Sequence, residues 1–293
     1  MRGTWTGITH DNYDKSVDTI RDVVFPLLAH WGVEGASLRV TKRGAAPSGG
    51  GAVSLVVPTV RELKPVQLVE EGYVKRVRGV TVTTKVSPSI ANRIVDAIRG
   101  VFNDYIPDVY IHTDVHRGAT SGHAPSYGVS LSALTTAGVV YSAEAWTPPA
   151  EHSPEYAEGL PAAPIAEAVA VAANGPQHAG ASGAAGAGLS VARVPPEDLG
   201  VYASQLLLER IAGRGCIDLD CVSLALTLCA LSSEDVSKLR LPLTLPNSAI
   251  ATLRLLREFF AVTFKFREEA ATGGTVVVSC LGCGFKNTAK KVT

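Results

Sequence analysis

The run Arg43-Gly44-Ala45-Ala46-Pro47-Ser48-Gly49-Gly50-Gly51-Ala52-Val53 constrains this chain more than any other segment. Three consecutive glycines after a proline permit positive φ and let a second stretch of backbone come close, as few other residues allow. Before the run, Leu38 and Val40 alternate with Ser37, Arg39 and Thr41; after it, AVSLVV (52–57) is almost wholly apolar. The pattern predicts two strands joined by a glycine-rich turn. No Gly-Lys-Ser/Thr follows, so the run is not a phosphate-cradling P-loop.

Helical periodicity surrounds this pair. Val17, Ile20, Val24, Leu27, Leu28 and Trp31 share one face, with a bend expected at Pro26. Residues 73–86 read as extended chain. Ser87-Pro88 is expected to cap a helix whose apolar face carries Ile90, Ile94, Ala97, Ile98 and Val101. A strand at 108–116, a polar loop at 117–127 and a hairpin over 128–144 should follow. Pro195-Pro196 opens a helix that stops at Gly213, and a very apolar helix covers 217–231. Toward the end come a short extended stretch, a helix at 248–260, and strands at 262–266 and 275–281. Helices and strands mix without a steady βαβ rhythm, which argues for an α+β fold.

Composition breaks near residue 147. From there to about 195 the chain is Ala, Gly and Pro with few large apolar residues, as in HAGASGAAGAG (178–188). Such a segment cannot bury enough surface to offset ordering entropy, so a disordered insertion is expected. The remainder is globular, with 46% hydrophobic and 18% charged residues among 293. Formal net charge is zero, so any contact with nucleic acid must use a local patch. The first residues, MRGTWTGITHDNYDK, have no apolar core leading to a small-residue cleavage site, and no run is long enough to suggest a membrane span. Five cysteines without a spaced framework read as reduced thiols. Cys280-x-x-Cys283 lacks a second ligand pair for zinc and reads as two small buried thiols.

The glycine run matches, residue for residue, the signature Arg-Gly-x-x-Pro-x-Gly-Gly-Gly-x-Val, carried here by Arg43, Gly44, Pro47, Gly49, Gly50, Gly51 and Val53. It resembles the RNA 3′-terminal phosphate cyclase family. VSPSIANRIVDAIRGVFNDYIPDVYIHTD (86–114), RGATSGHAPSYGVSLSA (117–133), LSSEDVSKLRL (231–241), LRLLREFFAVTFKF (253–266) and SCLGCGFKNTAKKVT (279–293) resemble its non-cyclising, ribosome-assembly branch. The resemblance implies repeated units of two helices and a four-stranded sheet, with a smaller α/β domain inserted. Residues 1–70 and 205–293 would belong to the large domain and 71–204 to the insert. RGTWTGIT looks like the first strand of the third unit, so two units and a glycine-rich nucleotide- and RNA-contacting segment would precede residue 1. Apolar faces left without those units should make the isolated chain poorly stable or self-associating.

The resemblance also exposes absences. True cyclases form a covalent nucleotide intermediate on a histidine near the late helix; here that region is Leu245-Pro246-Asn247-Ser248-Ala249-Ile250, and no histidine lies beyond His178. An aspartate of the preceding apolar helix aligns with Ser223. A nuclease role considered for the assembly branch rests on Arg-Asp-x-Lys; the stretch here is Arg254-Leu255-Leu256-Arg257, and leucine neither binds metal nor accepts a proton. No catalytic residue and no cofactor are therefore expected.

Two clusters remain. His112, Asp114 and His116 alternate on one strand face, as metal ligands or as a hydrogen-bonded polar surface. Lys75, Arg76, Arg78, Lys85, Arg93 and Arg117 give the inserted domain positive charge, for RNA phosphates or an acidic partner peptide, or else as a solvated face. The resemblance implies a non-enzymatic factor of the nucleolar small-subunit processome, in early pre-ribosomal RNA processing. Its implied partners are a large assembly GTPase, the pre-ribosomal particle and its RNA, with no membrane. An RNA-processing enzyme, an endonuclease or a cyclase, is the alternative.

Overall fold

A computed structural model describes residues 1–147, 194–268 and 274–289. The described residues form an α+β fold with three sheets. The chain runs β1 (Arg2–Gly7), helix α1, β2 (Ser37–Lys42), β3 (Gly51–Val56), β4 (Gln67–Leu68), β5 (Val74–Thr84) and α2 (Ser89–Phe102). After these come β6 (Val109–His116), β7 (Ser126–Thr135), β8 (Val140–Trp146) and α3 (Pro196–Ala212). It ends with α4 (Val222–Leu231), β9 (Val236–Pro242), α5 (Asn247–Phe260), β10 (Lys265–Glu268) and β11 (Thr275–Leu281). Helix α1 comprises Val17–Thr19, a π-helical turn at Ile20–Val24, and Phe25–His30. The N–H of Phe25 bonds the Ile20 carbonyl, and Pro26 follows without an N–H to restore the tighter register. The bend expected at Pro26 is thus taken up by a widened turn before it.

The inserted body is a four-stranded sheet, β6-β5-β7-β8, covered on one face by two helices. Helix α2 is the crossover between parallel β5 and β6, while β7 and β8 form an antiparallel hairpin. Strand alternation sends Val77, Ile111, Val129, Leu131 and Ala133 to the helical side. There they meet Ile94, Val95, Ile98 and Phe102 of α2 and Leu199, Ala203 and Leu207 of α3. A Cβ at Gly200 would come within 2.9 Å of the Ile94 carbonyl, so glycine lets the two helices cross closely. The domain end expected at residue 204 falls inside α3, whose Leu207 and Ile211 still pack on the inserted core.

The second body has the plan of two helices on a four-stranded sheet that the resemblance implied. Its sheet, β10-β11-β9-β4, pairs Gln67 and Leu68, which precede the insert, in parallel with Lys238 and Leu239, which follow it. Helices α4 and α5 cover one face, burying Leu226, Cys229 and Leu256 against Leu239, Leu241, Val276 and Val278. Val23 and Trp31 of α1 complete this core. Each such side chain contributes about 1.5–3 kcal/mol by leaving water. The third sheet, β1-β3-β2, is antiparallel and thinner, and the glycine run joins β2 to β3 as expected.

Three local expectations need correction. Ser87 does not cap α2: its hydroxyl bonds Ser89, and the Ser87 carbonyl instead accepts from Ile90 N–H. The strand expected at 262–266 begins at Lys265, because α5 ends on Ala261 with φ 54° and Val262 turns into the core. Cys280 is buried, but Cys283 is only half-buried. The insertion expected at 147–195 lies almost wholly outside the described residues. Its two flanks meet at Tyr127, whose carbonyl accepts from Thr147 N–H and whose hydroxyl donates to the Val194 carbonyl at 2.5 Å.

Candidate functional site

The signature loop is a junction between bodies. Gly49 and Gly50 have φ of 57° and 79°, which side chains rarely adopt. The Gly49 carbonyl accepts from His123 N–H at 3.1 Å, and a Cβ on Gly50 would strike the His123 ring at 2.5 Å. Arg43 N–H donates to the Thr120 carbonyl, so the loop at 118–123 of the inserted body sits directly on the glycines. On the other side Thr9 bonds Gly44 through both its N–H and its hydroxyl. The glycines serve backbone approach between protein segments.

Arg43 anchors this junction. Only 2% of its side chain is accessible, and its guanidinium pairs with Asp18 at 2.5 and 3.0 Å and with Asp114 at 2.8 Å. Burial opposes ionisation of Asp18, but the Arg43 hydrogen bond and charge outweigh it and hold the carboxyl below its usual range. The same balance raises Arg43. Asp114 also bonds His116 Nε2 at 2.8 Å, and the Nδ1 of that ring meets the Thr120 carbonyl. Two of the three candidate metal ligands thus belong to a polar seam, while His112 is exposed. Among the described residues no three His, Cys, Asp or Glu side chains gather as metal ligands.

The seam extends along the face of the inserted sheet opposite its helices. His10 stacks on Trp146 with ring centroids 4.4 Å apart and touches Ser126 at 3.3 Å. Burial first, and Arg43 second, push His10 down to about 3, so the ring stays neutral. Asn12 exchanges two hydrogen bonds with the Trp146 backbone, Thr19 bonds Ser130 at 2.9 Å, and Asp218 accepts from the Ser142 N–H and hydroxyl. Burial lifts Asp218 above the usual carboxylate range. Sequence reading missed His10, Asn12, Asp18 and Asp218, because their partners Ser126, Trp146, Arg43 and Ser142 lie far away in the chain and only the fold assembles them.

Where the seam opens lies a cleft of about 690 Å³, lined by residues including Asp11, Lys15, Glu144, Arg210, Asp220 and Ser248. Lys15 bridges Asp220 at 2.5 Å and Glu144 at 3.7 Å. Burial works against its charge, but those carboxylates prevail and raise its pKa. Beside the cleft the Ser223 hydroxyl donates to the Ser248 hydroxyl at 3.3 Å. The fold therefore brings Ser223, expected to align with a cyclase aspartate, beside Ser248 of the stretch expected to lack the cyclase histidine, and each holds a neutral hydroxyl. Leu255, at the carboxylate position of the nuclease pattern, points outward on α5 and is 52% exposed.

The basic residues of the insert do not converge. Lys75, Arg76 and Arg78 lie at one end of β5, and Lys85 lies about 30 Å away at the other. Arg78 is paired with Asp108, Arg93 with Glu197, and Lys85 bonds the His123 carbonyl; Arg117 is exposed.

Comparison with known proteins bears on the same residues. The model of the RNA 3′-terminal phosphate cyclase insert domain matches residues 69–212, the segment that holds the inserted sheet and its helices. A human RNA 3′-terminal phosphate cyclase-like protein is 39% identical over 97% of this chain and 68% of its own length. The chain belongs to the RNA 3′-terminal phosphate cyclase-like family. A probable cyclase-like protein of Dictyostelium discoideum is 38% identical over 98% of the chain and 70% of its own length. In Schizosaccharomyces pombe the relative named rRNA processing protein rcl1 is 35% identical over 99% and 68%, respectively. Within this cyclase-like family, the present chain combines the glycine signature with a serine pair beside its cleft.

Proposed function

We propose that this cyclase-like protein acts in rRNA processing without cyclase chemistry. The observation that carries the proposal is its similarity, over 99% of its length, to a relative named for rRNA processing. The Ser223–Ser248 pair supports the non-catalytic part, since neither hydroxyl can form the phosphoramidate that a histidine forms. The protein would work on pre-ribosomal particles in the nucleus, within the nucleolar small-subunit processome, alongside an assembly GTPase. Lys75, Arg76 and Arg78, gathered at one end of β5, are its proposed contact with the particle. The endonuclease alternative would need a carboxylate where Leu255 stands.

Incubation with labelled ATP and magnesium, followed by denaturing electrophoresis, tests the chemistry. No labelled protein band is expected. A band that survives denaturation would overturn the non-catalytic reading.

A further inference from the structure

The outward face of the second four-stranded sheet carries charge that the fold leaves open. Register places Lys265, Ser279 and Lys238 side by side across β10, β11 and β9, with Arg267, Val277 and Arg240 in the next row. Residues directly opposite in an antiparallel pair point the same way, so all four cations share one face. The helices cover the other face, where Leu239, Leu241, Val276 and Val278 are buried. The strands of this sheet contain a single carboxylate, Glu268, and it pairs with Val276 on the helical side. Arg240 is tied to Glu71 at 2.6 Å beyond the sheet edge. Lys238, Lys265 and Arg267 are exposed, and none is bridged to a carboxylate among the described residues.

Lys238 and Lys265 are two strands apart, about 9–10 Å. No carboxylate stands beside either of them in the register, so their fields add toward an approaching anion. A chain of net charge zero that concentrates cations on one flat pleat presents a surface complementary to a polyanion. We propose that this face binds the phosphate backbone of single-stranded RNA, with Lys238, Lys265 and Arg267 as the phosphate contacts and the Ser279 hydroxyl between them as a further donor. The open pleat offers long, flexible cations at regular spacing and no aromatic platform for bases. Binding is therefore independent of sequence. Preference for RNA over an acidic peptide rests on the rRNA-processing reading.

Fluorescence anisotropy of a labelled oligouridylate with the full chain, from 50 to 200 mM KCl, tests the site. Each phosphate contact on a single strand contributes about −0.7 to the slope of log K against log salt. The K238Q/K265Q/R267Q variant should bind more weakly, with a slope shallower by about 2. An R2Q/R39Q control should match the parent, and thermal unfolding should show all three proteins equally folded. Photocrosslinking of 4-thiouridine RNA to the unaltered protein should mark peptides from 236–242, 265–268 and 275–281. A parental slope in the triple variant, no RNA binding by the parent, crosslinks confined to other surfaces, or tighter binding of polyglutamate would each overturn the proposal. The rRNA-processing reading fails separately, if depletion leaves pre-rRNA cleavage intact while RNA binding persists.

Discussion

The two four-stranded sheets share one plan and differ in what meets their second faces. Each lays two helices over an apolar face. The inserted sheet spends much of its other face on the neighbouring body: Asp114, Ser126, Ser130, Ser142 and Glu144 all bond residues of the large domain. The C-terminal sheet holds Lys238, Lys265 and Arg267 exposed on its other face, with Arg240 beside them tied to Glu71. Polar strand residues thus read alike in sequence whether they hold two bodies together or stay open to solvent. Burial and partner count separate the cases.

That contrast breaks most easily at Arg43. Removing one partner of a buried ion pair leaves the others uncompensated, so R43A should cost about 3–5 kcal/mol in denaturant unfolding. The K238Q/K265Q/R267Q variant should cost almost nothing, since its side chains touch solvent. Equal midpoints for R43A and the parent would show that the seam does not hold the bodies together.

Acid should find the same difference. His10 is held down at about 3 in the folded state against 6.5 unfolded, so the unfolded chain takes up the proton first. Its contribution is fully present above about pH 6.5 and is lost progressively as pH falls toward 3. Asp18, with its lowered pKa, adds a loss only below the ordinary carboxylate range. His10 alone should therefore take away roughly 2 kcal/mol between pH 7 and pH 5. It is opposed by Asp218, whose raised pKa adds stability as pH falls, and H10Q should remove the His10 loss. An H10Q variant whose stability depends on pH between 7 and 5 just as the parent's does would contradict the neutral buried ring.

Smaller effects sharpen the picture at the surface. Helix α5 exposes Ile250, Leu255, Phe259 and Phe260, with Phe259 74% accessible. Such a patch favours association, so light scattering should find the isolated chain self-associated and an L255S/F259S variant less so. Parent and variant scattering as the same monomer would refute this. Replacing residues 148–193 with a short Gly/Ser linker should barely move the unfolding midpoint, because both flanks already meet at Tyr127. A large loss of stability would show otherwise.

Much of the fold was legible because periodicity marks α2, α3, α4 and β11 without help from tertiary contacts. Strand β4 was not, since Gln67 and Leu68 acquire a partner only after the insert has been traversed. The glycine run announced a turn and a family, yet not that His123 would rest on Gly50. Asp114 and His116 stood out as a pair, but Asp18 and Arg43 decide their role. Lys238 and Lys265 lie on separate strands, and only the register around Ser279 joins them.

The central claim is rRNA processing without chemistry at the serine pair. Its most direct test is depletion of the protein in its own cells, with pre-rRNA intermediates followed by hybridisation and rescue attempted with the S223A/S248A variant. Depletion should accumulate uncleaved precursors, and the variant should restore cleavage as fully as the parent. A folded variant, present at parental levels, that leaves the precursors uncleaved would contradict the account.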